Sequence, residues 1–300
     1  MQAKLDHYKV FKAVADTGNI SATAKSLYIS QSAVSQSIKI LEDSLGVRLF
    51  SRSKAGVSLT KDGETMYEYI SAALSMIDSG EKKLGESREL KSGELVIGAS
   101  NTLTDGYLLP YLKEYHHLYP GVKVKILNGT SKRVMNYLDT GVIDIGFATT
   151  NEKPESYESN LCFRTHTAFV ASPDYPIDFR RKYTLEEVSK MPLILLEKEA
   201  GSRRFLEDQF LKESLRLTPE IELASYELLI SLATIGLGVA VITKELSLNA
   251  LEKGIVKELR LSCDFPTRAV SMLTLKEAAP SMAASKFMEL ITYTGQNPNP

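Results

Sequence analysis

In the run "SQSAVSQSIK" the chain gathers Ser30, Gln31, Ser32, Ser35, Gln36 and Lys39. Short hydroxyls and amides both donate and accept hydrogen bonds, so such a set can read base edges and phosphates without bulk. It is not the equipment of a catalyst. The four histidines, His7, His116, His117 and His166, stand outside any metal-ligand or triad spacing, and Cys162 and Cys263 form no CxxC pair. No metal, cofactor or catalytic residue is implied. Three other stretches offer small polar groups at helix starts: Ser100, Asn101 and Thr102 in "GASNTLTDG", Thr130 and Ser131 in "NGTSKRV", and Gly201, Ser202 and Arg203 in "EAGSRRF". Free backbone N–H groups and hydroxyls there suit a small anion, a carboxylate or an oxyanion, although each Ser or Thr alone is also what helix capping uses. Arg203 or Arg204 is the candidate charge partner.

These groups need elements to hold them. The first proline is Pro110, and nearly everything before it reads as helix. Leu5, Tyr8, Phe11, Val14 and Ala15 mark a first amphipathic helix ended by Gly18, and Asn19 or Ser21 can cap a second carrying Ala22, Ala24 and Leu27. Ser30 caps a third, whose stripe Val34, Ile38, Leu41 and Leu45 leaves the polar set facing outward. Two helices across a short turn, the second polar at its start, make a helix-turn-helix. "GVRLFSRSKAGVSLT" then reads as a β-hairpin wing with Arg52 and Lys54 at its basic tip. Thr60 caps a long helix from about Lys61 to Leu84, in which Met66, Ile70, Ala73, Ile77 and Leu84 form a seam for a second copy of the chain.

After the polar linker Ser87 to Gly93 the periodicity becomes strand-like. Strands and helices then alternate, which implies parallel sheets in one large or two small α/β subdomains. The hydrophobic fraction of 43% and charged fraction of 24% are those of a soluble globular protein. Residues 1 to 61 hold nine Lys or Arg against four Asp or Glu, a balance of +5 within a chain of net charge −1. That points to a polyanion partner for the N-terminal module alone. With no apolar run long enough to span a bilayer and no signal-like N-terminus, the expected location is the cytoplasm, with no membrane partner.

Together these residues resemble a known family. The run "GNISATAKSLYISQSAVSQSIKILEDSLGVRLFSRSKAGVSLTKDGE" is similar, almost position for position, to the winged helix-turn-helix of LysR-type transcriptional regulators. It departs from the family's common residues at Ser32, Gln36 and Asp62, where Pro, Arg and Ala are usual, so the inner operator bases cannot be carried over. The resemblance implies an all-α winged helix-turn-helix over 1–60, a linker helix for dimerisation over 61–90, and an α/β, two-lobed, periplasmic-binding-protein-like effector domain over 91–300. Its lobe I would take about 91–163 plus 267–300, and lobe II about 164–266. Gln31, Ser32, Ser35, Gln36 and Lys39 would face the major groove, with Arg52 and Lys54 reaching phosphates or a minor groove. Ser100, Thr102, Thr130 and Phe147 would line an effector pocket, with the Gly201 loop on its other wall. The implied partners are a dyad promoter site in double-stranded DNA, a small-molecule effector, further copies in a homodimer or homotetramer, and RNA polymerase as another candidate.

Two other readings compete with this one: a ligand-binding receptor or enzyme with an appended N-terminal module, and a regulator whose lobes only oligomerise. The first lacks a catalytic constellation; an empty or apolar cleft would favour the second. Cys162 and Cys263 fall near the expected lobe crossings, where a redox pair is conceivable, although buried thiols acting as small hydrophobes are the default.

Overall fold

The computed structural model describes residues 3–53, 56–85, 90, 92–150, 155–276 and 278–294. It divides into two compact units, one built on residues up to Gly85 together with the short segment Asp139–Val142, and one on the rest of the α/β part.

In the first unit, α1 (Leu5–Thr17), α2 (Ile20–Ser26) and α3 (Gln31–Leu45) precede a hairpin of β1 (Phe50–Ser53) and β2 (Gly56–Leu59), and then α4 (Lys61–Gly85). The starts of α2, α3 and α4 have a local cause. Asn19 accepts from the N–H groups of Ser21 and Ala22, and Ser30 accepts from Ala33 N–H at 3.1 Å. Thr60 Oγ1 accepts from Gly63 N–H at 3.0 Å. Gly18 and Gly46 end α1 and α3 in the left-handed conformation that glycine adopts without strain. Val34, Ile38 and Leu41 of α3 pack with Val10, Phe11, Val14, Leu49 and Phe50 in one core.

The expected seam on α4 divides. Met66 and Ile70 pack on that core, so they are held within their own unit. Further along, Ala73 is exposed, and Tyr69, Met76 and Ile77 are 72%, 50% and 39% exposed. The spacing predicts one stripe, but the first turns of α4 close the winged-helix core before the stripe reaches solvent. Leu84 lies in α4, but its side chain falls outside the described residues.

The second unit opens with β3 (Gly93–Ala99), a short helical turn α5 (Asn101–Leu103) running through a π turn into α6 (Leu109–Leu118), then β4 (Val122–Asn128), α7 (Ser131–Asp139), β5 (Ile145–Thr150) and β6 (Tyr157–Thr165). The chain crosses at His166 into β7 (Thr167–Ala171), β8 (Lys182–Tyr183), α8 (Leu185–Ser189), β9 (Leu193–Leu196), α9 (Gly201–Lys212), β10 (Ile221–Leu223), α10 (Tyr226–Thr234), β11 (Val239–Thr243), α11 (Leu248–Glu252), β12 (Lys257–Glu258) and β13 (Arg260–Leu261). It returns as β14 (Arg268–Leu275) and α12 (Met282–Thr294).

Two five-stranded sheets result, ordered β4-β3-β5-β14-β6 and β10-β9-β11-β7-β12. They are mixed rather than parallel throughout. β3 runs parallel to β4 and β5, but β14 is antiparallel to β5 and β6, and β7 is antiparallel to β11 and β12. Each chain crossing enters its sheet from the opposite end, which reverses the strand it supplies. Helices cover both faces of each sheet, so β5 buries Ile145 and Phe147 in one core and Ala148 in another.

Candidate nucleic-acid interface and effector cleft

On α3 the polar set faces outward: Ser30, Gln31, Ser32, Gln36 and Lys39 are exposed and Ser35 is half-buried. The Ser30 hydroxyl, which already accepts from Ala33 N–H, lies 2.8 Å from that of Ser32. The side chains of Gln31, Gln36 and Lys39 have no hydrogen bond among the described residues and are available to an outside partner.

The wing is tied to this helix by a residue that the sequence did not single out. Glu42, 6% exposed, accepts from the backbone N–H of Leu49 at 2.8 Å and of Phe50 at 3.2 Å, and from the Arg48 guanidinium at 2.7 Å. One carboxylate thus orients the recognition helix and the start of the hairpin together. Arg52 lies in β1 opposite Val57. Its side chain, and all of Lys54, fall outside the described residues.

In the α/β unit, the polar groups of the first sheet lie just beyond its strand ends. Ser100 accepts from Leu103 N–H at 3.2 Å, Asn128 accepts from Asn101 N–H at 3.1 Å, and Ser131 accepts from Thr149 N–H at 3.0 Å. Ser100 and Ser131 therefore already serve local structure, while Thr102 and Thr130 are half-buried with no hydroxyl bond among the described residues. Phe147 belongs elsewhere. It is 1% exposed, edge-on to Phe287 at 6.4 Å, and so forms core rather than pocket wall.

Arg203 is also committed. Its side chain is 1% exposed, and it donates to Glu207 at 3.1 Å, to Leu196 C=O at 2.9 Å and to Glu222 at 3.0 Å. Two carboxylates neutralise it, leaving no charge for a ligand. Gly201 and Arg204 are exposed at the start of the same helix, and Ser202 is half-buried.

Among the described residues, one buried cation that the sequence does not single out is uncommitted. Arg268, the first residue of β14, is 8% exposed, and no hydrogen bond or ion pair engages its guanidinium among the described residues. It lies 4.6 Å from the ring centroid of Phe205, a cation–π contact with α9. Together with Thr167, Ser202, Tyr226 and Thr243 it lines a narrow cavity where the two lobes join. Burial lowers its pKa from the usual arginine value, while Tyr226 and Glu245 pull the other way. Glu245 is itself occupied, accepting from His166 N–H at 2.8 Å and facing His166 Nδ1 at 2.6 Å. A buried guanidinium without a paired carboxylate is costly; the cavity beside it is only about 10 Å³, room for a single water, so an anion would offset that cost only once the lining side chains part.

The two cysteines are both free. Cys162 lies in β6 beside Tyr107, where burial pushes its thiol up to about 11, and exposed Cys263 follows β13. They belong to different lobes and form no disulfide pair. Among the described residues no helix is long and apolar enough to cross a membrane, and no cluster could hold a metal ion.

Comparison with known proteins agrees with both halves. The profile of the bacterial regulatory helix-turn-helix protein, lysR family, matches residues 5–64, and that of the LysR substrate binding domain matches residues 88–295. A probable RuBisCO transcriptional regulator of Guillardia theta is 28% identical, covering 96% of this chain and 94% of its own length. The HTH-type transcriptional activator CmpR of Synechocystis is 27% identical over 80% of this chain and 79% of its own. Among solved structures, a full-length OxyR variant from Pseudomonas aeruginosa superposes with a TM-score of 0.69 at 20% identity, covering 99% of this chain and 95% of that one. Full-length CbnR in complex with its target DNA gives 0.66 at 18%, covering 97% and 99%. The chain belongs to the LysR family of transcriptional regulators, with a helix-turn-helix end and a two-lobed effector-binding domain.

Proposed function

We propose that this regulator binds a dyad promoter site and that a small anion, a carboxylate or an oxyanion held between its lobes, modulates that binding or the bend of the DNA. The observation that carries the effector half is Arg268, buried at the lobe junction with no hydrogen bond or ion pair to its guanidinium among the described residues. Ser100, Asn101, Thr102, Thr130, Ser131, Gly201 and Ser202 supply hydroxyls and N–H groups around the cleft; Arg203 shapes its wall, and Phe147 stands behind it. In the DNA half, Ser30, Gln31, Ser32, Ser35, Gln36 and Lys39 face the major groove while Arg52 and Lys54 reach the backbone. The exposed face of α4, with Tyr69, Ala73, Met76 and Ile77, pairs with a second copy, and two such pairs make the tetramer. The protein works in the cytoplasm, where RNA polymerase is the partner that reads the outcome.

Ligand binding shifts lobe closure only through its differential affinity for the two arrangements, and linkage requires that DNA in turn alter the affinity for the ligand. A footprint on DNA upstream of the chain's own gene, taken at two salt concentrations, tests the DNA half. Two protected patches one or a few helical turns apart, weakening steeply with salt, are expected. Protection that is absent or indifferent to sequence contradicts this reading.

A further inference from the structure

The turn between α2 and α3 carries a cost that the fold does not offset. Tyr28 adopts φ +57°, in the left-handed region that bulky side chains rarely occupy. Turns of this motif often place glycine there, at no steric cost. The backbone holds the turn in place: Leu27 N–H donates to Thr23 C=O at 2.9 Å and Ile29 N–H to Ala24 C=O at 3.0 Å. The phenol ring gains nothing in exchange. It is 95% exposed, flanked by Leu27 at 38% and Ile29 at 40%, and no hydrogen bond or ring contact engages it among the described residues.

Its place in the motif suggests what would engage it. When a helix-turn-helix docks, the first helix crosses the DNA backbone and the second enters the major groove. The turn joining them therefore lies over the phosphates at the groove's edge. Tyr28 stands two residues before Ser30, whose hydroxyl caps the recognition helix, and exposed Lys25 is one helical turn earlier. We infer that Tyr28 is a DNA-backbone contact. Its hydroxyl donates to a phosphate oxygen and its ring packs on the adjacent sugar, fixing how deeply α3 sits in the groove. This inference rests on the DNA-binding reading and adds a residue to it.

The test is equilibrium binding of the full chain to two probes, the duplex upstream of its own gene and a random-sequence duplex, across a salt series. Tyr28→Phe is expected to weaken binding to both by about ten- to a hundredfold, the effect of one hydrogen bond to a charged acceptor. The fall is shared because a phosphate contact carries no sequence information. The dependence of log K on log salt stays at its wild-type slope, because a neutral donor releases no counterion, whereas Lys39→Ala makes it shallower. Tyr28→Gly loses at least as much affinity yet melts no lower than the wild type, since it relieves the left-handed tyrosine. Wild-type affinity in Tyr28→Phe, or a lowered melting temperature in Tyr28→Gly, would overturn the inference. Failure of the wild type to bind either duplex would instead overturn the DNA-binding reading, and this one with it.

Discussion

Arg203 and Glu222 meet at 3.0 Å across nineteen residues of sequence, and that ion pair decides which arginine is left for a ligand. Arg203 is locked between α9 and β10, so Arg203→Ala removes a structural pin. The expected cost is about 2–3 kcal/mol, read as a lower urea midpoint. Among the described residues Arg268 has no such partner. Arg268→Met is expected to leave the urea midpoint at or above the wild type's, because it removes an uncompensated buried charge. A large loss of stability in Arg268→Met would show that the guanidinium is structural after all.

The winged helix depends on close backbone approach at Gly63. A Cβ there would lie 2.0 Å from the Leu49 carbonyl oxygen, whereas one at Gly80 would meet nothing within 4 Å. Gly63→Ala is therefore expected to destabilise the chain by about 1–3 kcal/mol through overpacking. Gly80→Ala should stabilise the same helix by about 0.5–1 kcal/mol. Denaturant unfolding followed by circular dichroism separates the two, and equal effects would mean that α4 does not pack on the wing as described.

Glu42 links recognition helix and wing. Glu42→Ala strips the acceptor from two buried N–H groups, at about 1–3 kcal/mol each. DNA affinity should fall with it, because the wing's phosphate contacts lose their fixed relation to α3. Glu42→Gln keeps one acceptor oxygen and is expected to fall between the two in both stability and DNA affinity.

Three buried groups set the alkaline limit, and Tyr107, whose phenol burial and the neighbouring Cys162 push well up, is one of them. Burial raises Cys162 from 9.0 to about 11 and Tyr226 from 10.0 to about 12. Both are neutral when protonated, so the unfolded chain releases these protons first as pH rises. Their stabilisation is fully present below pH 9 and is lost as pH climbs through 11 and 12. Urea midpoints at about pH 8 and about pH 10.5 should differ, with part of the difference removed by Tyr226→Phe. The same burial keeps Cys162 a thiol at neutral pH, so a thiol reagent should label Cys263 first and Cys162 only on unfolding. Fast labelling of Cys162 in the native chain would reopen a redox role.

What the sequence makes legible here is local. Helix caps act within three residues of themselves, so Asn19, Ser30 and Thr60 announce the winged helix before any packing is known. The stripe Val34, Ile38 and Leu41 gives the buried face of α3 for the same reason. Long-range pairing leaves no such mark. β14 pairs with both β5 and β6, placing Arg268 opposite Thr165 across more than a hundred residues, and nothing near "PTRA" signals it. Arg203 misleads for the converse reason: at a helix start it looks available until Glu222 arrives from β10. Met66 and Ile70 keep a heptad spacing whether they face a partner or their own core, and only tertiary structure tells the two apart.

If saturating anion left the footprint and the DNA bend unchanged, effector control through lobe closure would fail, even with the anion bound. The prior question is whether Arg268 holds an anion at all. Thermal melting of the wild type and of Arg268→Met, each against sulfate, phosphate and a panel of small carboxylates, addresses it directly, because a ligand that binds only the native state raises its melting temperature. The account predicts that at least one anion raises the wild-type transition and leaves Arg268→Met unmoved. Equal shifts in both proteins, or stabilisation of the wild type by uncharged compounds alone, would contradict it.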